Sequence, residues 1–146
     1  MKSFLFPDVN VWVALTHNRH VHHATAANWF LNCEGSLCFC RFTQLGLLRL
    51  LTTEQVMQQD VLTQAKAWQV YRCWLDDSRV EFHLEPASED FEKLFERFSS
   101  HARPSPKVWA DAYLAAFATA AGLTLVTFDG ALQKLAGGSA TVLRPN

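Results

Sequence analysis

The sequence predicts an α/β domain in which a mainly parallel sheet of about five strands is covered by helices on both faces. Three observations predict it. Short apolar runs alternate along the chain with longer segments of helical periodicity. The stretches between successive strands are long enough to cross over the sheet, as parallel pairing requires. A chain of 146 residues, 49% hydrophobic and 18% charged, suffices for one core, and a split would leave both halves too small. Residues 1–146 are therefore expected to form a single domain.

Each element follows from its own residues. Ser3-Phe4-Leu5-Phe6, stopped by Pro7-Asp8, predicts a buried first strand. Val9–Thr16 predicts a short helix, and 24–31 a second with Ala24, Ala27, Trp29 and Phe30 available for burial. Leu37-Cys38-Phe39-Cys40 predicts the second strand. A helix over 42–51 carries Leu45, Leu47, Leu48, Leu50 and Leu51 around most of its circumference. A longer one is predicted over 60–76, capped by Asp60, with Val61, Ala65, Trp68 and Leu75 at helical spacing. Residues 80–84 alternate and predict a strand. Residues 88–98 predict an amphipathic helix with Phe91, Leu94, Phe95 and Phe98 on one face. Ser105 as cap and Pro106 in first position predict a helix running to Ala121 and ending at Gly122. Residues 123–128 predict a fourth strand, 129–135 a short helix and 141–143 a last strand.

Composition excludes several classes. Thirteen Lys and Arg nearly balance fourteen Asp and Glu, for a formal charge of −1. A polyanion would therefore have to be held by a local patch or a bound cation. No run of eighteen apolar residues predicts a membrane span. The N-terminus turns polar at Pro7-Asp8, too soon for a secretory signal, so a cytoplasmic protein is expected. Cys33, Cys38, Cys40 and Cys73 lack the paired spacing of a zinc site and are expected to be buried free thiols.

The informative residues are acids. Asp8 directly follows the first strand and Asp129 the fourth, so both stand at carboxyl ends of strands, the edge where open parallel sheets bind ligands. Asp111 is the only charge between Lys107 and Gly122, placed in the second turn of a helix apolar on nearly all sides. That helix leads back into strand four, so its N-terminus lies near the same edge. Each acid has a plainer role available: Asp8 and Asp129 could cap helices, and Asp111 could pair with Arg41, Arg49 or Arg103. Together, three converging carboxylates repel unless a hard cation neutralises them. Oxygen-only ligation by few protein groups suits Mg²⁺ or Mn²⁺ and phosphoryl chemistry.

Phe6-Pro7-Asp8-Val9-Asn10-Val11, Thr43-Gln44-Leu45-Gly46-Leu47-Leu48-Arg49-Leu50, Ala110-Asp111-Ala112-Tyr113-Leu114-Ala115-Ala116 and Leu125-Val126-Thr127-Phe128-Asp129 together resemble the PIN-domain family, more narrowly the VapC-type toxins of bacterial toxin–antitoxin pairs. The resemblance implies a three-layer α/β/α sandwich and a Mg²⁺-dependent endoribonuclease, with Asp8 and Asp111 as metal ligands and Asp129 completing the catalytic acidic cluster. It implies Asn10 and Thr127 as supporting polar residues, an RNA substrate, a cognate antitoxin in the active-site groove and a homodimer. One departure stands out. Many PIN domains carry a glutamate on the helix after the second strand, and here Gly46 takes that place. Gln44 could bind a metal-bound water but cannot act as a base, so one metal site is expected and a second stays open.

Arg41 and Lys107 near the same edge, with His20 and His23 from the cluster His17, His20, His22 and His23, are candidate RNA contacts; Arg49, further along its helix, is expected to pair with an acid. The histidines are expected to form a polar rim, some capping the second helix. The tryptophans are expected in core or interface. Phe42 with Leu47, Leu48, Leu50 and Leu51 hints at an apolar partner surface. Two other functions remain: a catalytically weakened PIN fold that binds RNA or a partner, and a Mg²⁺-dependent phosphatase, opposed by Asn10 where an aspartyl-phosphate enzyme needs an acid.

Overall fold

A computed structural model of the chain describes residues 4–145. Ser3, expected in the first strand, lies outside the described residues. Five parallel strands, β1 (Phe4–Pro7), β2 (Ser36–Phe39), β3 (Val80–Phe82), β4 (Thr124–Thr127) and β5 (Ala140–Val142), form one sheet in the order β3-β2-β1-β4-β5. The chain winds outward from β1 through β2 to β3, then returns to lay β4 on the other side of β1. The strand order therefore reverses between β1 and β4, with Phe6 opposite Leu125 and Pro7 opposite Val126.

Alternate residues of each strand serve opposite faces of the sheet. Leu37, Phe39 and Val126 point into a core with Val11, Trp12, Leu47, Leu51 and Tyr71. Those residues come from α1 (Val9–Thr16), α3 (Arg41–Leu51) and α5 (Gln64–Asp76). Phe6, Cys38 and Leu125 point into a second core with Phe91, Leu114, Phe117 and Leu132, from α6 (Glu89–Ser99), α7 (Val108–Ala121) and α8 (Gly130–Ala136). Trp12 lies flat on Phe39 with ring centroids 3.9 Å apart, and Phe6 stacks on Phe117 at 4.9 Å. The result is the α/β/α sandwich. α2 (His23–Asn32) follows α1, and the one-turn helix α4 (Glu54–Met57), absent from the sequence expectation, follows α3.

Two helix starts differ, each for a local reason. Asp60 does not cap the long helix. It closes a 3₁₀ turn and its carboxylate meets His17 Nε2 at 3.1 Å and Arg19 Nε at 3.4 Å, while Thr63 caps α5 by accepting the Lys66 N–H. The later start rephases α5: Ala67 and Tyr71 are buried, and Val61 and Trp68 are exposed. Ser105 and Pro106 do not open α7. The Ser105 carbonyl accepts the Val108 N–H in a preceding turn, and Lys107 takes the cap position. Asp111 consequently sits in the first turn of α7, not the second. At its other end α7 stops at Gly122, whose φ of +70° favours glycine.

Candidate functional site

The carboxyl ends of β1 and β4 are joined by one side chain. Asp8 leaves β1 and caps α1, its Oδ1 accepting the Val11 N–H at 3.0 Å. Its Oδ2 accepts the Thr127 hydroxyl at 2.5 Å. The same Thr127 oxygen accepts the Asp129 N–H at 3.0 Å, so a single hydroxyl sets the spacing between the two strand ends. Asp129 in turn caps α8 through the Ala131 N–H. The capping roles of Asp8 and Asp129 are therefore real, and they orient the carboxylates.

Asp8 is only 6% exposed. Burial pushes its carboxyl up to about 6, against the lowering effect of the bonds from Thr127, Val11 and Asn10, and the charge of Asp111 adds to the rise. Asp111 is raised by burial and by the charge of Asp129. The three acids thus form an electrostatic chain in which Asp111 feels both neighbours. Among the described residues none of them has a cationic partner within 4 Å, since the ion pairs are His17–Asp60, Arg19–Asp60 and Arg79–Asp77. The arginine partner that could have neutralised Asp111 is not there.

Asp8 and Asp111 both line a cleft of about 390 Å³ whose walls are the starts of α1 and α7 and one side of α3. Asn10 lines it; Asp129 does not, and reaches it through its charge on Asp111. No three His, Cys, Asp or Glu side chains among the described residues enclose an ion by themselves. The donor set is two carboxylates lining the cleft, with a third negative charge nearby. That fits Mg²⁺ or Mn²⁺, which bind through one or two carboxylates and keep several waters. It does not fit zinc, and Cys33, Cys38, Cys40 and Cys73 are all free, with burial pushing Cys38 up to about 12. Contrary to the expectation of four buried thiols, Cys73 is exposed and Cys33 only half-buried.

The other expected residues divide. Gln44 is buried, and its Oε1 accepts from Arg41 Nη1 at 2.5 Å, so it does not line the cleft. Arg41 is further held over the Phe82 ring at 4.9 Å. Lys107 is exposed just ahead of α7. His23 gives its Nδ1 to the Ala14 carbonyl at 2.7 Å, and the His20 Nδ1 accepts the His22 N–H. Burial and the neighbouring imidazoles push His20 down. His22 takes the cap position of α2 without a side-chain capping bond and stacks on Phe128.

Of the apolar residues of α3 expected at a partner surface, Leu47 and Leu51 are core, whereas Phe42 and Leu50 line the cleft, joined by Leu45, which is 58% exposed. Arg49, expected to pair with an acid, lines the cleft and has no carboxylate within 4 Å among the described residues. Phe42, Leu45, Gly46 and Arg49 recur at helical spacing, the signal that could have assigned all four to one face. Trp109 is 60% exposed, not core.

Comparison with known proteins supplies the relationship. The family model described as PIN domain matches residues 5–138. Ribonuclease VapC41 of Mycobacterium tuberculosis is 42% identical over 139 residues, which cover 91% of this chain and 94% of the relative. The fold is similar to the crystal structure of VapC20 of Mycobacterium tuberculosis, a sarcin-ricin loop cleaving toxin, with a TM-score of 0.64, 17% identity, and 89% and 93% of the two chains covered. It is equally similar to VapBC2 of Rickettsia felis bound to a DNA fragment from its promoter, with a TM-score of 0.64, 12% identity, and 97% and 99% covered.

Proposed function

From the premise that the chain belongs to the PIN-domain family, in the branch of the VapC ribonucleases, we propose that it is a divalent-metal-dependent endoribonuclease and the toxin of a toxin–antitoxin pair. The observation that carries the proposal is the cleft lined by both Asp8 and Asp111, neither of which has a cationic partner within 4 Å among the described residues. Two uncompensated carboxylates at a strand-order reversal are costly unless function requires them.

Asp8 and Asp111 would hold Mg²⁺ or Mn²⁺, with Asp129 contributing charge. The ion would supply charge neutralisation at the phosphodiester and acidify an attacking water. The chain does the rest. The Val11 N–H and the Thr127 hydroxyl fix the Asp8 carboxylate in one orientation. Capping by Asp129 fixes the loop after β4. Asn10 presents an amide to the cleft without adding charge. Arg41, Lys107, His20 and His23 remain candidate RNA contacts outside the cleft. Leu45 and Phe42 expose apolar surface at its mouth, which suits an antitoxin segment laid over the acids. No helix among the described residues is long and apolar enough to cross a membrane. A homodimer working in the cytoplasm completes the proposal.

The test is cleavage of structured RNA by the purified chain with Mg²⁺ and with EDTA. Cleavage should require the ion and disappear in Asp8→Asn and Asp111→Asn. Expression should arrest growth, relieved by co-expressing the product of the adjacent upstream reading frame. Metal binding without cleavage would overturn the nuclease and leave a PIN fold that only binds RNA or a partner.

A further inference from the structure

We propose that Arg49 is a catalytic residue that binds the scissile phosphate from the α3 wall of the cleft, supplying the positive charge that an acid-held second cation would otherwise bring. This rests on the nuclease reading of the cleft. It explains two features of α3 at once.

The first is Gly46. A Cβ built there would meet the two γ-carbons of Val9 at 2.5 and 2.8 Å, well inside contact distance. Valine in a helix has essentially one side-chain rotamer, so the obstruction does not swing away. No carboxylate can stand at position 46 while Val9 packs against it, and that wall of the cleft holds no anchor for a second ion.

The second is Arg49, one turn further along the same face. It is the only cationic side chain lining the cleft among the described residues, and Asp8 and Asp111 line it too. Its side chain is exposed, has no carboxylate within 4 Å and stacks on no aromatic ring among the described residues. Arg41 on the same helix is held by Gln44 and Phe82. An arginine left unpaired beside two carboxylates has its forked donors available, and the fork matches the two non-bridging oxygens of a phosphodiester. Phe42, Leu45 and Leu50 beside it lower the local dielectric, which strengthens a contact to charge growing on phosphorus-bound oxygens. In the hydrolysis, the water oxygen forms a new bond to phosphorus as the bond from phosphorus to the departing ribose oxygen breaks. Water gives up a proton to solvent and the ribose oxygen takes one. Arg49 donates hydrogen bonds throughout and exchanges no proton.

The test compares wild type with Arg49→Ala and Arg49→Lys. Arg49→Ala is expected to lower kcat by about 100-fold with unchanged thermal unfolding, and Arg49→Lys to recover only a small part. Millimolar guanidinium should raise kcat of Arg49→Ala, and methylammonium should not. In EDTA, where RNA is bound but not cut, Arg49→Ala should bind the same RNA more weakly, with a salt dependence shallower by about one phosphate contact. Wild-type kcat in Arg49→Ala, or no guanidinium rescue, overturns the inference while metal-dependent cleavage by the wild type keeps the nuclease. If the wild type does not cleave, the nuclease reading fails first; an unchanged salt dependence in EDTA then removes Arg49 from phosphate binding as well.

Discussion

Replacing Asp8 by asparagine should make the metal-free protein more stable at neutral pH while abolishing its activity. Burial lifts this carboxyl from the ordinary 3.8 to about 6, which corresponds to about 3 kcal/mol of disfavoured charge. The folded state prefers the protonated acid. Its stabilising contribution is therefore complete below the unfolded value and is lost as pH rises through about 6. Asparagine keeps an acceptor for the Val11 N–H but turns an amide toward Thr127, whose hydroxyl then loses its acceptor, at a cost of about 1 kcal/mol. The net gain at pH 7.5 is about 2 kcal/mol, or roughly 4–8 °C in Tm. Urea unfolding in EDTA at pH 4.5 and 7.5 measures it. The difference between variant and wild type should grow toward neutrality, which separates Asp8 from every other titrating group. A variant that is less stable by the same amount at both pH values would refute the reasoning, because the charge on Asp8 would then not be disfavoured. Added Mg²⁺ should raise the Tm of the wild type and leave Asp8→Asn unmoved.

Other substitutions probe the framework. Gly46→Ala drives a methyl into Val9 and is expected to cost about 1–3 kcal/mol in chemical denaturation. Val9→Ala should restore most of that loss in the double variant, and simply additive losses would count against the contact. Thr127→Val removes a hydroxyl that serves both Asp8 and Asp129 and should cost about 1–3 kcal/mol at pH 7.5. Its cost should be smaller below pH 4.5, where Asp8 is protonated, because the bond it loses favours the charged acid. Asp129→Asn keeps the cap of α8 but removes the charge that raises Asp111. An NMR titration should find Asp111 moved down with stability nearly unchanged, whereas Asp129→Ala should lose about 1 kcal/mol of capping.

The fold was legible because its strands announce themselves twice, as apolar runs and as stops at Pro7-Asp8 and Phe128-Asp129. Asp8 and Asp111 were legible because a carboxylate in an apolar context needs a reason. What the sequence hid was phase and direction. The phase of α5 was misread because Trp68 looks like an anchor, while Ala67 and Tyr71 are the residues that pack. Asp60 carries a capping side chain, yet the tertiary contacts to His17 and Arg19 claim it. The leucines of α3 are interchangeable in composition, and only the packing of Leu47 and Leu51 leaves Leu45 outside. The contact that forbids a side chain at Gly46 joins α1 to α3 and leaves no local mark on either.

The bond from Thr127 to Asp8 spans 119 positions of the chain. On the ribosome, a growing polypeptide presents its N-terminal acid long before the strand that orients it has been made. The first hundred residues contain neither Asp111 nor Thr127, so an unfinished chain of that length cannot assemble the cleft. A chain cut short before residue 127 lacks the hydroxyl that orients Asp8.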